Sequence, residues 1–252
     1  MKKEKLYIST IADDAAETAK RYGLGLEIAE FCTAYNMDDH YNEVKPAVDR
    51  AFASAERFVF HAPFNELYPS AIDPKAVELA HFRLNQAWKL ASSFGITKMI
   101  VHSGNVPQLY FKSWYEERSV LFWRDFLRDK PLNIELCMEN VLEDEPELLY
   151  RVVEAVNDPR FRLCLDIGHA NVQSKISPIL WLENDAPLIS HFHIHNNTGE
   201  FDMHNGLGDG AIEMKDFLAH AGALCPDATY TIETLHAEPS VLWLRDNSFL
   251  TL

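Results

Sequence analysis

Cysteine is scarce in this chain and never paired in sequence. Cys32, Cys137, Cys164 and Cys225 are the only four in 252 residues, and no two form a CxxC. That spacing excludes a disulfide framework and a zinc–cysteine site, and it fits reduced thiols in the cytoplasm. Basic residues are short as well: 23 Lys and Arg face 38 Asp and Glu, a formal net charge of −15. Such a balance argues against non-specific affinity for nucleic acid or an anionic membrane. No apolar run approaches a membrane span, and Met1-Lys2-Lys3-Glu4-Lys5 leads into a short strand rather than a signal-peptide core. Low-complexity linkers and composition shifts are also missing, so residues 1–252 read as one domain.

What is present is an ordinary apolar complement, 47% of residues, in a regular order. Period-two apolar runs predict strands at Leu6 to Thr10, Leu24 to Phe31, Phe58 to His61 and Lys98 to His102. Four more are predicted at Asn133 to Glu139, Phe161 to Asp166, Ile189 to His195 and Tyr230 to Thr234. Between them fall helical segments: Asp13 to Tyr22 ended by Gly23, about Glu43 to Ser54, Pro74 to Phe94 stopped by Gly95, and Phe111 to Leu127. The later helices are Glu145 to Val156, one near Pro178 to Leu182, Met214 to Leu224, and one beginning near Ser240. Eight β–α units in one chain predict a parallel (β/α)₈ TIM barrel of the α/β class. The alternative, a doubly wound open sheet, lacks its phosphate-binding glycine fingerprint after the first strand. The one glycine-rich run, Gly206-Leu207-Gly208-Asp209-Gly210, lacks a Walker lysine and reads as a tight lead into the seventh helix.

Barrel chemistry gathers where strands finish. In order, the predicted strand ends bring His61, His102, Glu139, Asp166 with His169, His193 or His195, and Glu233, and the loop after the seventh strand adds Asp202-Met203-His204. Alternation supports the placement. Ile134, Leu136 and Met138 face the helices while Glu139 shares the other face with Cys137; His191, His193 and His195 oppose Phe192 and Ile194; Ile232 packs outward and Glu233 inward. Gly168, after Asp166, reads as a sharp turn. A lone His or Glu at a strand end is usually a hydrogen-bonded or solvated side chain. Six consecutive strands ending in such residues are not the scatter that reading predicts. Four carboxylates (Glu139, Asp166, Asp202, Glu233) at one mouth, with no Lys or Arg among them, would repel. Divalent cations bound by carboxylate and neutral imidazole resolve that repulsion.

These motifs resemble the xylose isomerase-like TIM-barrel superfamily. They are His61-Ala62-Pro63, His102-Ser103-Gly104, Glu139-Asn140-Val141, Asp166-Ile167-Gly168-His169, His193-Ile194-His195-Asn196, Asp202-Met203-His204 with the glycine run, and Glu233-Thr234. The superfamily holds sugar isomerases and epimerases beside endonuclease IV-type nucleases. By resemblance Glu139, Asp166, His193 and Glu233 match the single-metal site of the epimerases. His61, His102, His169, Asp202 and His204 match the further ligands of the three-zinc nuclease site. One to three divalent ions, zinc or manganese, are therefore implied. His193 is preferred to His195 because the family's HxxD-like run starts at the first of the pair, and Asn196 stands where an Asp is usual.

Two activities then compete. One is a metal-dependent isomerase or epimerase of a small sugar, with Glu139 and Glu233 removing and returning a proton beside a carbonyl through an enediolate. Phe64, Asn140 and His169 are expected to touch such a substrate. The other is an endonuclease IV-like phosphodiesterase acting on abasic DNA. Between strand ends and their helices only Lys112 and Lys175 are basic, and segments 32–40, 62–73, 196–213 and 235–239 hold neither Lys nor Arg. A DNA track needs cations along it, so nucleic acid is not the expected partner. Tyr35, Phe64, Tyr68, Tyr110 and Phe201 suit a small neutral polyol. A barrel keeping its metal only for stability is a third reading, and the intact Glu139 and Glu233 pair argues against it. Trp114, Phe122 and Trp123 either form a subunit interface in a homo-oligomer or cover the barrel.

Overall fold

A computed structural model describes residues 1–251. Eight strands form one closed, wholly parallel barrel in chain order: β1 (Leu6–Ser9), β2 (Gly25–Ile28), β3 (Phe58–His61), β4 (Lys98–His102), β5 (Glu135–Glu139), β6 (Phe161–Asp166), β7 (Ile189–Ile194) and β8 (Thr229–Ile232). Pairing of β8 with β1 closes it. The surrounding helices are α1 (Ala15–Tyr22), α2 (Tyr41–Ser54), α3 (Pro74–Ser93), α4 (Lys112–Leu127), α5 (Glu147–Val156), α6 (Ile167–Gln173), α7 (Pro178–Asp185), α8 (Met214–Leu224) and α9 (Glu238–Asp246). Their ends follow local chemistry. Asp73 caps α3 by accepting from the Lys75 amide, with Pro74 in the first turn. Gly23 and Asn157 end α1 and α5 in the left-handed conformation, φ 70° and 53°.

Strand alternation divides the apolar residues into two layers. Leu26, Phe60, Leu136, Leu163, Leu165, Phe192 and Ile232 point out and bury against the helices. Val59, Ile100, Cys137 and Cys164 point in and, with Tyr7, plug the barrel's middle. Gly25 is required there, because a Cβ would sit 2.3 Å from the Tyr7 ring. Trp123 of α4 packs 5.0 Å from the Phe161 ring, and both are buried; truncating either to Ala would cost about 3–5 kcal/mol. Trp123 and Phe122 thus cover the barrel rather than offering an interface. Among the described residues no helix is long and apolar enough to cross a membrane.

Expected and observed elements differ at the edges and at one junction. The strand expected over 24–31 pairs only over Gly25–Ile28, and a short 3-10 turn, Ala34–Met37, was not anticipated. After β6 the chain does not loop out toward Pro178; it passes directly into α6, a helix the sequence pattern did not suggest. Asp166 is both the end of β6 and the cap of α6, its Oδ1 accepting from the His169 amide at 2.7 Å.

Candidate metal centre at the barrel mouth

The floor of the mouth is built from four strand ends. His193 Nδ1 lies 3.1 Å from Glu139 Oε1, 3.2 Å from Glu233 Oε2 and 3.7 Å from Asp166 Oδ2. One donor atom from each of Glu139, Asp166, His193 and Glu233 falls within 4.8 Å of the others, and all four residues are buried. Register produces the cluster: Asp166 pairs with His193 across β6 and β7, and His102 with Glu139 across β4 and β5. Asn140 locks Asp166 in place, its Oδ1 accepting from the Asp166 amide (2.8 Å) and its Nδ2 donating to the Asp166 carbonyl (2.9 Å).

A second set rings this floor. His61 Nε2 and His102 Nε2 stand 3.5 and 3.3 Å from Glu139 Oε2. His169 reaches Glu139 Oε1 with Nδ1 (3.3 Å) and Asp202 Oδ2 with Nε2 (3.2 Å), while His204 Nε2 meets the same Asp202 oxygen at 3.0 Å. Three of these rings are turned by backbone carbonyls. The Nδ1 atoms of His61, His169 and His204 lie 3.0, 3.0 and 2.7 Å from the carbonyls of Ala62, Asn140 and Glu233. A proton held there leaves Nε2 with a free lone pair, the arrangement that metal-binding imidazoles adopt. His204 holds its place with φ at 47°, a strained conformation for a residue with a side chain.

The electrostatics repeat the geometry. Burial alone would raise the Glu139 carboxyl, but His193 and His102 hold it well below the usual range. Burial likewise opposes ionisation of Asp166, which His169 and His195 nonetheless bring down to about 2. The imidazoles move the other way. Against burial, Asp202 with Glu233 pushes His204 up to about 9, and Asp166 with Asp202 raises His169 well above its ordinary value. At His102 burial wins and the shift is downward. Without a cation, then, the carboxylates are balanced only by imidazolium. Among the described residues no Lys or Arg pairs with Glu139, Asp166, Asp202 or Glu233. Glu139 Oε2 is buried and receives no hydrogen bond, since neither neighbouring ring is aligned to donate. A buried acceptor that is orphaned between two imidazole nitrogens fits a divalent cation well. A cation bound here would displace the imidazole protons, and its affinity would rise with pH.

Above the cluster opens a cavity of about 350 Å³. Glu139, Glu233, His61, His102, His169, Asp202 and His204 form its polar side, and Ile11, Ala29, Cys32, Phe64 and Val141 its apolar side. No Lys or Arg lines it. Phe64 stacks on His102 with centroids 4.1 Å apart, so this expected substrate contact lines the cavity and steadies the His102 ring. Asn140 does not line it, because both ends of its amide are engaged by Asp166. Of the other loop aromatics, Tyr68 borders an adjoining hollow, while Tyr35 and Phe201 are exposed, at 58% and 69%.

Three details correct or extend the sequence reading. Gly168 is no turn: it lies inside α6, and a Cβ there would meet the His195 ring at 1.9 Å. The absent side chain makes room for His195, whose Nε2 sits 3.1 Å from Asp166 Oδ1. Asn196, where an Asp is usual, uses its amide on the glycine-rich loop: Nδ2 donates to the carbonyls of Leu207 and Ile212, and Oδ1 accepts from the Asn197 and Ile212 amides. A carboxylate could not donate those two bonds. Gly210 and Gly208 are needed for contact with Asn196 and Trp243, and neither has a positive φ, so the run is a packed lead into α8. The third is a residue missed. Glu27 of β2 is fully buried beneath His193, though its parity with Gly25 marked it as inward.

Comparisons with known proteins agree with this architecture. Uncharacterized protein MJ1311 of Methanocaldococcus jannaschii is 26% identical over 197 residues, 73% of this chain and 66% of its own length, just under two thirds. A solved D-tagatose 3-epimerase-like protein superposes with a TM-score of 0.78 at 22% identity, covering 97% of each chain. The TTHB071 protein from Thermus thermophilus, soaked with ZnCl₂, gives 0.75 at 24% identity, covering 97% of this chain and 98% of that one. At such identities the two structures establish the fold. The family profile described as Xylose isomerase-like TIM barrel matches residues 11–248, nearly the whole chain, and the protein belongs to that family.

Proposed function

We propose that this protein is a divalent-metal-dependent isomerase or epimerase of a small, uncharged sugar or sugar derivative. The observation that carries the reading is the pair Glu139 and Glu233. Both are buried carboxylates that line the cavity, both belong to the four-residue cluster, and no Lys or Arg lines the space above them. Glu139, Asp166, His193 and Glu233 would hold the cation, zinc or manganese, which supplies Lewis-acid stabilisation of negative charge on an oxygen. The chain's own groups do the proton work. One of the two glutamates removes a proton from the carbon beside a carbonyl and the other returns it, from opposite sides of a flat substrate. Ile11, Ala29, Phe64 and Val141 form an apolar wall beside the reacting carbons, which strengthens the electrostatic interactions there, while each glutamate exchanges its proton with solvent between turnovers. An anionic, phosphorylated sugar would meet acid and no base at this mouth. The zinc-soaked relative and the epimerase-like relative share the fold and agree with the reading.

One observation favours a second reading. The outer ligands His61, His102, His169, Asp202 and His204 are all in place, as a multi-zinc phosphodiesterase of the endonuclease IV kind needs. Against it, no Lys or Arg lines the mouth to follow a phosphate backbone. Turnover of free ketoses in heavy water separates the two. The isomerase reading predicts deuterium on the carbon beside the carbonyl, falling about 100-fold or more in Glu233→Gln, which keeps an oxygen but cannot accept the proton. Cleavage of abasic DNA that is lost in His204→Ala, with no exchange on any ketose, would establish the phosphodiesterase instead.

A further inference from the structure

A continuous line of hydrogen bonds runs up the barrel interior and ends on His193. At its base Lys98 Nζ donates to Thr229 Oγ1 at 2.9 Å. Thr229 Oγ1 lies 2.6 Å from His191 Nδ1, and His191 Nε2 lies 2.9 Å from Thr231 Oγ1 and 3.3 Å from Glu27 Oε2. Thr231 Oγ1 donates to Glu27 Oε2 at 2.6 Å, and the same Oε2 is hydrogen-bonded to His193 Nε2 at 3.3 Å, with Oε1 an ion-pair contact 3.0 Å from that nitrogen. Glu27, His191, His193 and Thr231 are all fully buried. Cys164 Sγ sits beside both imidazoles, within 4.8 Å of a nitrogen on each.

The inventory of donors and acceptors gives this line one direction. An ammonium only donates, so Thr229 Oγ1 accepts from Lys98 and passes its own proton to His191 Nδ1, nearer than the Ser190 carbonyl at 3.3 Å. His191 then carries its proton on Nε2, facing Thr231 and Glu27. Thr231 gives its hydroxyl proton to Glu27. An ionised carboxylate only accepts, so the ring nitrogen of His193 that faces Glu27 must be protonated. The other nitrogen, Nδ1, is the one that faces Glu139, Glu233 and Asp166.

We propose that Glu27 is a positioning residue for the metal centre: it holds His193 with Nε2–H toward the barrel interior, so that Nδ1 points at the cation. The proposal rests on the metal reading above and adds the element that orients one of its ligands. Burying a carboxylate beside Val59, its register partner in the apolar plug, gains little stability over an apolar residue of the same size. Directly beneath a metal-binding imidazole it has a clear use, because a carboxylate on the far nitrogen fixes the ring and strengthens it as a ligand.

The test uses the full chain labelled with ¹⁵N-histidine and zinc as the probe. In the zinc-loaded wild type, His193 should show Nε2 bearing a proton and Nδ1 ligated. Glu27→Met should weaken zinc binding, measured by chelator competition, about 10–100-fold and should shift the His193 Nε2–H resonance. Glu27→Gln, which keeps an acceptor oxygen, should recover part of the affinity and the proton on Nε2. Zinc on Nε2 with the proton on Nδ1 overturns the proposal. So does Glu27→Met binding zinc as tightly as the wild type, or losing affinity with unchanged His193 resonances. Should Glu27→Met fail to fold, the wild-type spectrum decides. Wild-type protein that takes up no zinc would fail the metal reading itself, a result distinct from equal binding by wild type and Glu27→Met.

Discussion

The two ends of the barrel interior handle buried charge in opposite ways. At the base, Lys98 Nζ lies 3.4 Å from Glu135 Oε1 and bonds to Thr229 and the Ser190 carbonyl, so cation and anion close on each other within the chain. At the mouth, Glu139, Asp166, Asp202 and Glu233 meet only imidazoles. The apolar plug of Val59, Ile100, Cys137 and Cys164 fills part of the interior between the two ends, beside the polar line through His191, Thr231 and Glu27. Both ends use the same pattern of inward-facing polar residues at alternating positions of neighbouring strands. What differs is whether a permanent positive side chain is supplied. A balanced pair is a finished piece of structure. A cluster of acids with only titratable partners is a site that an external cation completes.

The largest effect should follow from breaking the mouth at its centre. Asp166→Asn removes a negative charge from the centre of a buried cluster that no Lys or Arg balances, and zinc affinity should drop by at least about 100-fold on chelator titration. A smaller effect is expected from Gly168→Ala, which leaves every ligand in place but drives a methyl group into the His195 ring. It should cost about 1–3 kcal/mol by chemical denaturation and weaken zinc binding less than Asp166→Asn does. The smallest should come from the base. Glu135→Gln unmakes a partly exposed ion pair, should change stability by under about 1 kcal/mol, and should leave zinc affinity unchanged. If the base and mouth variants altered zinc binding equally, the distinction between the two ends would collapse.

Much of the mouth is legible in sequence because strand parity is strict. One inward residue fixes its neighbours two positions away, so Glu139 with Cys137, His193 with His191 and Glu233 with Thr231 follow from alternation alone. The floor of the site was therefore readable residue by residue, and the barrel followed from eight repeats of one unit. Glu27 obeys the same rule and escaped notice because β2 has no ligand at its end to draw attention to its interior. Gly168 and Asn140 lay beyond the pattern for another reason. The first is explained only by a ring that arrives from β7, and the second only by the backbone of β6, both about 26 to 27 positions away in sequence. Contacts of that range depend on how neighbouring strands are staggered, which alternation within one strand does not encode. The α6 helix was missed because Asp166 reads equally well as the end of a strand or the cap of a helix, and it is both.

The most direct test of the central claim is the melting temperature of the purified chain with zinc and after exhaustive chelation. Zinc at about 100 times its dissociation constant should stabilise the native state by about 2.7 kcal/mol, raising the midpoint by roughly 5–10 °C for a chain of this size, with the gain abolished in Asp166→Asn. Identical midpoints with and without chelator, in protein shown to be folded, would contradict the claim that the barrel mouth is a metal centre.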